Sequence, residues 1–218
     1  MDLNQQVEPA KETARMMEKT IHDQLTESSS SKELRKSLFE QTLYGTGILK
    51  GPYTFQAVQH QWKMDGKTST YTPKTHIVPR NKNVSVWSFY PDPTATSAEE
   101  MEWAIERHKF GKHELRALRN QPFFNHAAIR TAISRGPNYV SRGYEDNLRD
   151  DDSQDVTQKR WEVLEYWGIM DKSLAESAGM DIPDDIDELD EVSVNIWICN
   201  GEILRVVYNP FEPERIPY

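Results

Sequence analysis

Six histidines, one cysteine and several carboxylate-rich runs are the groups in this chain that could bind a metal or move a proton. The histidines are His22, His60, His76, His108, His113 and His126. None pairs with another at i, i+4 beside a glutamate, the spacing that sets two imidazoles on one helix face to hold zinc. His108 and His113 are five residues apart and diverge on a helix. With Cys199 as the single cysteine, neither a thiolate cluster nor an internal disulfide can form, and a packed bystander near a strand end is expected there. Gly45-Thr-Gly47 and Gly51 lack the Gly-Lys-Ser/Thr and following helix of a phosphate loop, and read better as a helix-to-strand corner. Pro91-Asp92 invites a nuclease comparison, but its nearest acidic-x-Lys partner, Glu106-Arg-His-Lys109, has the wrong spacing for converging carboxylates. The acidic run Asp181–Glu191 fails the calcium-loop pattern, which requires glycine where Ile186 falls. The expectation is no catalytic residue, no cofactor-binding residue, no metal ligand, no cofactor and no enzyme.

Those groups must be positioned by an α+β fold. Ala10, Ala14, Met17, Ile21 and Leu25 recur at three- and four-residue spacing and predict an amphipathic helix over 8–26. The run Ser28–Ser31 interrupts it. Ser30 and Glu33 have a capping-box spacing, Leu34 and Leu38 begin a second stripe, and Gly45 suits a helix end. The result is an N-terminal helical hairpin, residues 1–45, leading into an α+β domain over 46–218. From Thr46 to Thr72 the pattern is β-like, with Asp65-Gly66 as a hairpin turn that sets Trp62 opposite Ser69 and His60 opposite Tyr71. Pro73 and Pro79 relegate the next segment to an edge or loop. A strand over 84–90 then meets a corner of Pro91, Asp92 and Pro93, where two fixed φ angles and two missing donors stop it. Asp92 is expected to accept local backbone hydrogen bonds there. Ser97 and Glu100 suggest a capped helix over 97–109, followed by helices near 112–120 and 123–134. The last third returns to strands at Arg160–Trp167, Val192–Cys199 and Glu202–Tyr208. An Asn200-Gly201 type I′ turn pairs Ile198 with Ile203, Val194 with Val207, Trp197 with Leu204 and Ser193 with Tyr208. The fold class is therefore α+β: a helical hairpin, antiparallel β-hairpins and a cluster of short helices.

The net charge of −9 is concentrated: residues 145–191 hold 17 acidic against 4 basic side chains, so the rest of the chain is net positive. This segment should form acidic loops near 145–159 and 176–191, and its charge argues against direct contact with nucleic acid. No apolar run approaches membrane-spanning length, and the polar N-terminus lacks a signal-peptide core. A soluble intracellular protein with no membrane partner is expected.

The order of pieces resembles the portal, or head-to-tail connector, proteins of tailed bacteriophages. The shared pieces are Phe89, Tyr90, Asp92, Pro93 and Ala95, then Ile105, Glu106 and Arg107, then Glu114, Leu115 and Leu118. Upstream, Leu43-Tyr-Gly-Thr-Gly-Ile-Leu-Lys-Gly51 matches; downstream, Val163–Gly168, Asn200–Arg205 and Asn209-Pro-Phe211 match in the family's order. Portal subunits are usually much longer, so the resemblance covers their front portion, largely the outer wing. It implies a homo-oligomeric, dodecameric ring at one capsid vertex, in the virion and, during assembly, in the host cytoplasm. The implied partners are capsid or scaffolding protein, the terminase motor, tail adaptors and double-stranded DNA that passes without sequence-specific binding. The role is mechanical, from head assembly to genome ejection. Trp87, Trp103, Trp197, Leu204 and Tyr208 are the candidate lateral contacts, with burial in the subunit's own core as the alternative for each.

The alternative function is a small DNA-binding module, with a helix-turn-helix-like trio over 97–135. Residues 97–142 hold eight basic and five acidic side chains, and the third helix offers Asn125, Arg130 and Arg135 for a groove. The acidic loops yield a direct test. Limited proteolysis should cut first within 145–159 or 176–191 and spare Arg160–Trp167, as fragment masses will show; early cuts inside that strand would mean the sheet lies elsewhere.

Overall fold

The computed structural model describes residues 3–65, 68–140, 159–182, 190–211 and 215–218. Its contacts divide the chain into two compact units, Met1–Val86 with Pro217–Tyr218, and Trp87–Ile216. The division falls after Val86 and not after residue 45, because the first long ribbon is bonded to the helical hairpin.

In the first unit, α1 (Leu3–Glu27) and α2 (Ser30–Tyr44) form the hairpin, turning at Ser28 and Ser29. Ser29 adopts a left-handed conformation and makes no side-chain cap, so the Ser30–Glu33 capping box does not form. Gly45 ends α2 in the left-handed region as expected, its N–H donating to the Gln41 carbonyl. The long strands β1 (Ile48–Gln59) and β4 (Lys74–Val84) pair antiparallel as a two-stranded ribbon, from Ile48 opposite Val84 to Gln59 opposite Lys74. Pro79 is tolerated because each strand of such a ribbon has an open edge. Between them, β2 (Trp62–Asp65) and β3 (Thr68–Tyr71) make a hairpin whose register differs from expectation. Trp62 lies opposite Tyr71 and Asp65 opposite Thr68. Asp65 is thus the last rung and not a turn residue, and the slip lets the Trp62 and Tyr71 rings meet, with centroids 5.0 Å apart.

The second unit is built on a five-stranded antiparallel meander. Its strands β5 (Phe89–Pro91), β6 (Trp103–Phe110), β7 (Trp161–Asp171), β8 (Glu191–Cys199) and β9 (Glu202–Tyr208) lie side by side in chain order. Two sequence expectations fail at its start. The strand over 84–90 is broken by a 3-10 turn at Val86–Ser88. The helix over 97–109 is absent: a 3-10 turn at Ala98–Glu100 leads into β6. Ser97 makes no cap bond, and Glu100 instead accepts from the Thr96 N–H and hydroxyl. Glutamates at 99, 100, 102 and 106 favour helix by propensity, but Ala104, Glu106 and His108 alternate inward from a strand. Without that helix, the trio over 97–135 reduces to α3 (Lys112–Ala117), a 3-10 turn at Leu118–Asn120, and α4 (His126–Ser134). Asn125 caps α4 by accepting from the Ala127 and Ala128 amides.

Strand β7 continues four residues beyond Trp167, and α5 (Lys172–Ser177) follows it, so the expected loop over 176–191 starts in a helix end. The other acidic loop, 145–159, lies almost wholly outside the described residues. Each sheet face carries its own core. Leu115, Leu118, Phe124, Ala128, Ile129 and Ala132 from the α3–α4 side pack on Trp161, Val163, Cys199 and Leu204. On the opposite face Ala175, Met180 and Ile182 pack on Val192, Val194 and Ile196. The β8–β9 hairpin is accordingly buried on both sides.

Asn200 and Gly201 both have positive φ, as a type I′ turn requires, and Ile198 faces Ile203 as expected. Beyond that rung the register shifts by one residue: Trp197 pairs with Arg205, and Val194 with Tyr208. Leu204 is the extra residue of a β-bulge, which lets Leu204 and Arg205 address the same face. The Leu204 carbonyl accepts the Asn125 N–H at 2.7 Å, and its side chain is wholly buried. Leu204→Ala should therefore destabilise this unit by about 2–5 kcal/mol, read as a lower urea midpoint with an unchanged m-value. A loss within error of zero would contradict this packing.

Candidate assembly surface

Helix α2 docks on its ribbon by its polar side. The positions facing the ribbon are Ser30, Glu33 and Glu40, toward Asn81, Asn83 and Val86, and Ser37, toward Gly47, spaced three and four apart so that they line one stripe. Glu33 Oε2 accepts the Asn83 N–H at 3.0 Å, Glu40 accepts from Asn83 Nδ2 at 3.1 Å and from the Val86 N–H at 3.3 Å, and Asn81 Nδ2 donates to Ser30 Oγ at 2.9 Å. Gly47 is needed where β1 starts, since a Cβ there would meet the Ser37 carbonyl oxygen at 2.3 Å. Burial pushes the Glu33 carboxyl up, but hydrogen bonds from Lys36 and the Asn83 amide, with the charges of Lys36 and Lys32, outweigh it and hold the group below its ordinary value.

The apolar side of α2 faces outward. Phe39 is 68% exposed and Leu43 60%, and Leu34, Leu38 and Tyr44 are exposed with them. Helix α1 adds Met16, Met17, Ile21 and Leu25, all exposed, and every described α1 side chain from Pro9 to Thr26 faces solvent. The amphipathic stripe read from the sequence exists, but among the described residues nothing covers it. Helices gain most of their stability from packing an apolar face, so such a stripe makes this surface the candidate for assembly. A shallow depression at the hairpin, lined by Leu25, Arg35, Phe39 and Glu40, belongs to the same surface.

The five interface candidates from the sequence fare differently. Leu204 is core. Trp197 is half-buried, with its ring stacked on His108 at 4.9 Å and edge-on to Phe124 at 5.5 Å, so it too belongs to the core. Trp103 is half-buried on β6 opposite Gly168. Trp87 and Tyr208 are exposed at 41% and 38%. The helical hairpin carries more exposed apolar surface than any of them, in Met16, Met17, Ile21, Leu25, Leu34, Leu38, Phe39 and Leu43. At the corner, Asp92 does what its type suggested: its carboxylate accepts the Thr94 hydroxyl at 2.7 Å, the Thr94 N–H at 2.8 Å and, more weakly, the Glu102 N–H at 3.5 Å. The hydroxyl contact leads in holding its carboxyl below the ordinary range, with the Thr94 amide next; burial opposes them, and the Glu102 amide adds least.

Sequence spacing missed one polar cluster. Glu106, His108 and Glu165 lie on neighbouring strands with their ligand atoms all within 4.8 Å, a donor set that could hold a divalent cation. His108 Nε2 is 2.7 Å from Glu165 and Nδ1 is 3.4 Å from Glu106, so both contacts are favourable when the ring carries two protons. Glu165 Oε1 also accepts from Trp167 Nε1 and Asn195 Nδ2. Nearby, burial pushes the Arg205 guanidinium down while the Glu165 charge pulls it up. Cys199 is buried on the same face, and desolvation, with the Glu162 charge, pushes its thiol up to about 11. The signal available in the sequence was the Glu106-x-His108 alternation, which is visible only once the segment is known to be a strand.

No family model matches the chain, and no curated protein matches it.

The Glu33 contacts generate a pH prediction. Because its carboxyl sits below the ordinary 4.5, its contribution to docking α2 is present above that value and lost as pH falls through the lowered one. The protection factor of the Asn83 amide, its exchange rate by NMR divided into the intrinsic rate at each pH, should fall as the solution is acidified through that range. Glu33→Gln should raise the neutral-pH exchange rate and flatten the acid response; an unchanged Asn83 profile would show that the contact does not hold the helix.

Proposed function

We propose that this chain is the outer, wing-like portion of a ring-forming portal subunit, with a mechanical role and no chemistry of its own. One observation carries the assembly part of the reading: α2 places its polar stripe on its own ribbon and its apolar stripe outward. In a monomer that arrangement is inverted, since apolar surface is driven out of water and polar surface is not. In an assembled ring the exposed stripes of α1 and α2 become buried lateral contact. The portal part rests on the resemblance of the Phe89–Ala95 corner, the Ile105–Arg107 and Glu114–Leu118 pieces, and the flanking segments in order. Under this proposal the ring sits at a capsid vertex, meets capsid or scaffolding protein, terminase and tail adaptors, and lets double-stranded DNA through.

Sedimentation of the chain over a range of concentrations tests the assembly. The parent should be a monomer or weak oligomer when dilute and associate as concentration rises. Phe39→Ser with Leu43→Ser should abolish that association and leave the circular dichroism unchanged, because both side chains are exposed in the monomer. A parent chain that stays monomeric throughout, or association untouched by the double variant, overturns the reading. Negative-stain images of concentrated parent chain should show curved or closed arrays; linear or amorphous aggregates count against a ring.

A further inference from the structure

Residues 112–135 carry five Lys+Arg against one acidic residue, in a chain of net charge −9. Two of these charges are engaged elsewhere: Arg135 pairs with Glu202, and the acidic residue, Glu114, faces Arg160 at 3.5 Å. Arg116, Arg119 and Arg130 are different. They come from α3, the 3-10 turn after it and α4, and all three line one notch of roughly 370 Å³ with Ile129 and Ile133. Leu115, Leu118 and Ile129 point into the core, which turns their neighbours Arg116, Arg119 and Arg130 outward together. Among the described residues none of the three makes an ion pair or a side-chain hydrogen bond. Three like charges gathered without a counter-charge raise the local positive potential and invite an anion.

We propose that this notch binds the phosphodiester backbone of nucleic acid, independent of sequence. Each guanidinium presents a planar fork of donors suited to phosphate or carboxylate. A planar carboxylate is satisfied by one fork lying edge-on. A tetrahedral phosphate can accept from several directions at once, and forks arriving from three separate elements match that shape. Ile133, partly buried, gives the notch an apolar wall for the sugar beside the phosphate. Contacts of this kind fix position on the backbone and carry no base information. The placement is independent of the ring proposal, since all three arginines lie in one unit of one chain, and it does not need the absent helix of the 97–135 trio.

Fluorescence anisotropy of a short duplex of mixed sequence, titrated with the full chain across a salt series, tests the notch. The parent should bind with a log–log salt slope set by its phosphate contacts. Arg116→Gln, Arg119→Gln and Arg130→Gln together should lower affinity about tenfold or more and reduce the slope by about 2–3, near 0.9 for each phosphate no longer neutralised. All three side chains are exposed, so the thermal melt should superimpose on the parent's. A control with the same charge change, Arg15→Gln, Lys63→Gln and Lys74→Gln, should keep both affinity and slope. Equal losses in control and notch variants, or no loss in the notch variant, overturn the proposal. So does polyglutamate binding as tightly as the duplex, which would mark an acidic-peptide site. Full displacement of the duplex by millimolar inorganic phosphate would mark a free-phosphate site and likewise overturn it. A single strand of matched length tells which form of the backbone is preferred, and weaker binding of both forms by the notch variant supports the assignment.

Discussion

A helix that commits its polar stripe to its own sheet has only its apolar stripe left to offer, and this constraint governs the first unit. The bonds from Asn83 and Val86 to Glu33 and Glu40 hold α2 to β4 through carboxylate acceptors and backbone donors. Contacts of that kind are directional, so they fix which way the helix is rolled. Once the roll is fixed, Leu34, Leu38, Phe39 and Leu43 have no route inward. The amphipathic pattern of α1 then follows suit, lying beside α2 with its own stripe uncovered. The outward apolar surface is thus a consequence of how the hairpin is fastened.

The second unit solves the opposite problem, carrying polar groups inside a sheet with cores on both faces. Glu165 sits on the central strand and is 3% exposed. It can stay there because indole, amide and imidazole donors from β6, β7 and β8 converge on it. Buried carboxylates are tolerated when such donors replace water, and removing one partner leaves the other stranded. The network therefore fixes the registers of three strands. The bulge at Leu204 completes the arrangement by turning an aliphatic and a guanidinium side chain toward one face.

Much of this was legible in the chain. The strands after residue 160, the short helices between 112 and 134, the Asn200-Gly201 turn, the Gly45 helix end and the Asp92 corner all rest on local chemistry, and local chemistry can be read directly; the helix Lys172–Ser177 was not read. The misreadings share a cause. The segment 97–109 looked helical because Ser97 and Glu100 have a capping-box spacing and glutamates at 99, 100, 102 and 106 favour helix, and the burial of Glu106 and His108 is decided by strands far along the chain. The same tertiary dependence hid the Glu106–His108–Glu165 cluster, whose members come from two strands. The β2–β3 slip and the β8–β9 bulge each change a register by a small step that alternation alone does not fix. The outward stripe of α2 was visible as a stripe, but its direction depended on Asn83 and Val86, which lie some forty or more residues away.

The polar fastening of α2 also has a calorimetric consequence. Releasing a helix that covers its sheet with apolar groups uncovers hydrocarbon, which raises the heat capacity and makes the step steeply sensitive to denaturant. Releasing α2 uncovers mainly serine, asparagine, carboxylate and backbone amide, whose hydration lowers the heat capacity. Its detachment should thus carry a small heat-capacity change and a shallow denaturant dependence, in contrast to melting of the meander with its two apolar cores. Docking of α2 is therefore governed by its carboxylate contacts to Asn83 and Val86 and only weakly by buried hydrocarbon, which makes it more sensitive to pH than to temperature.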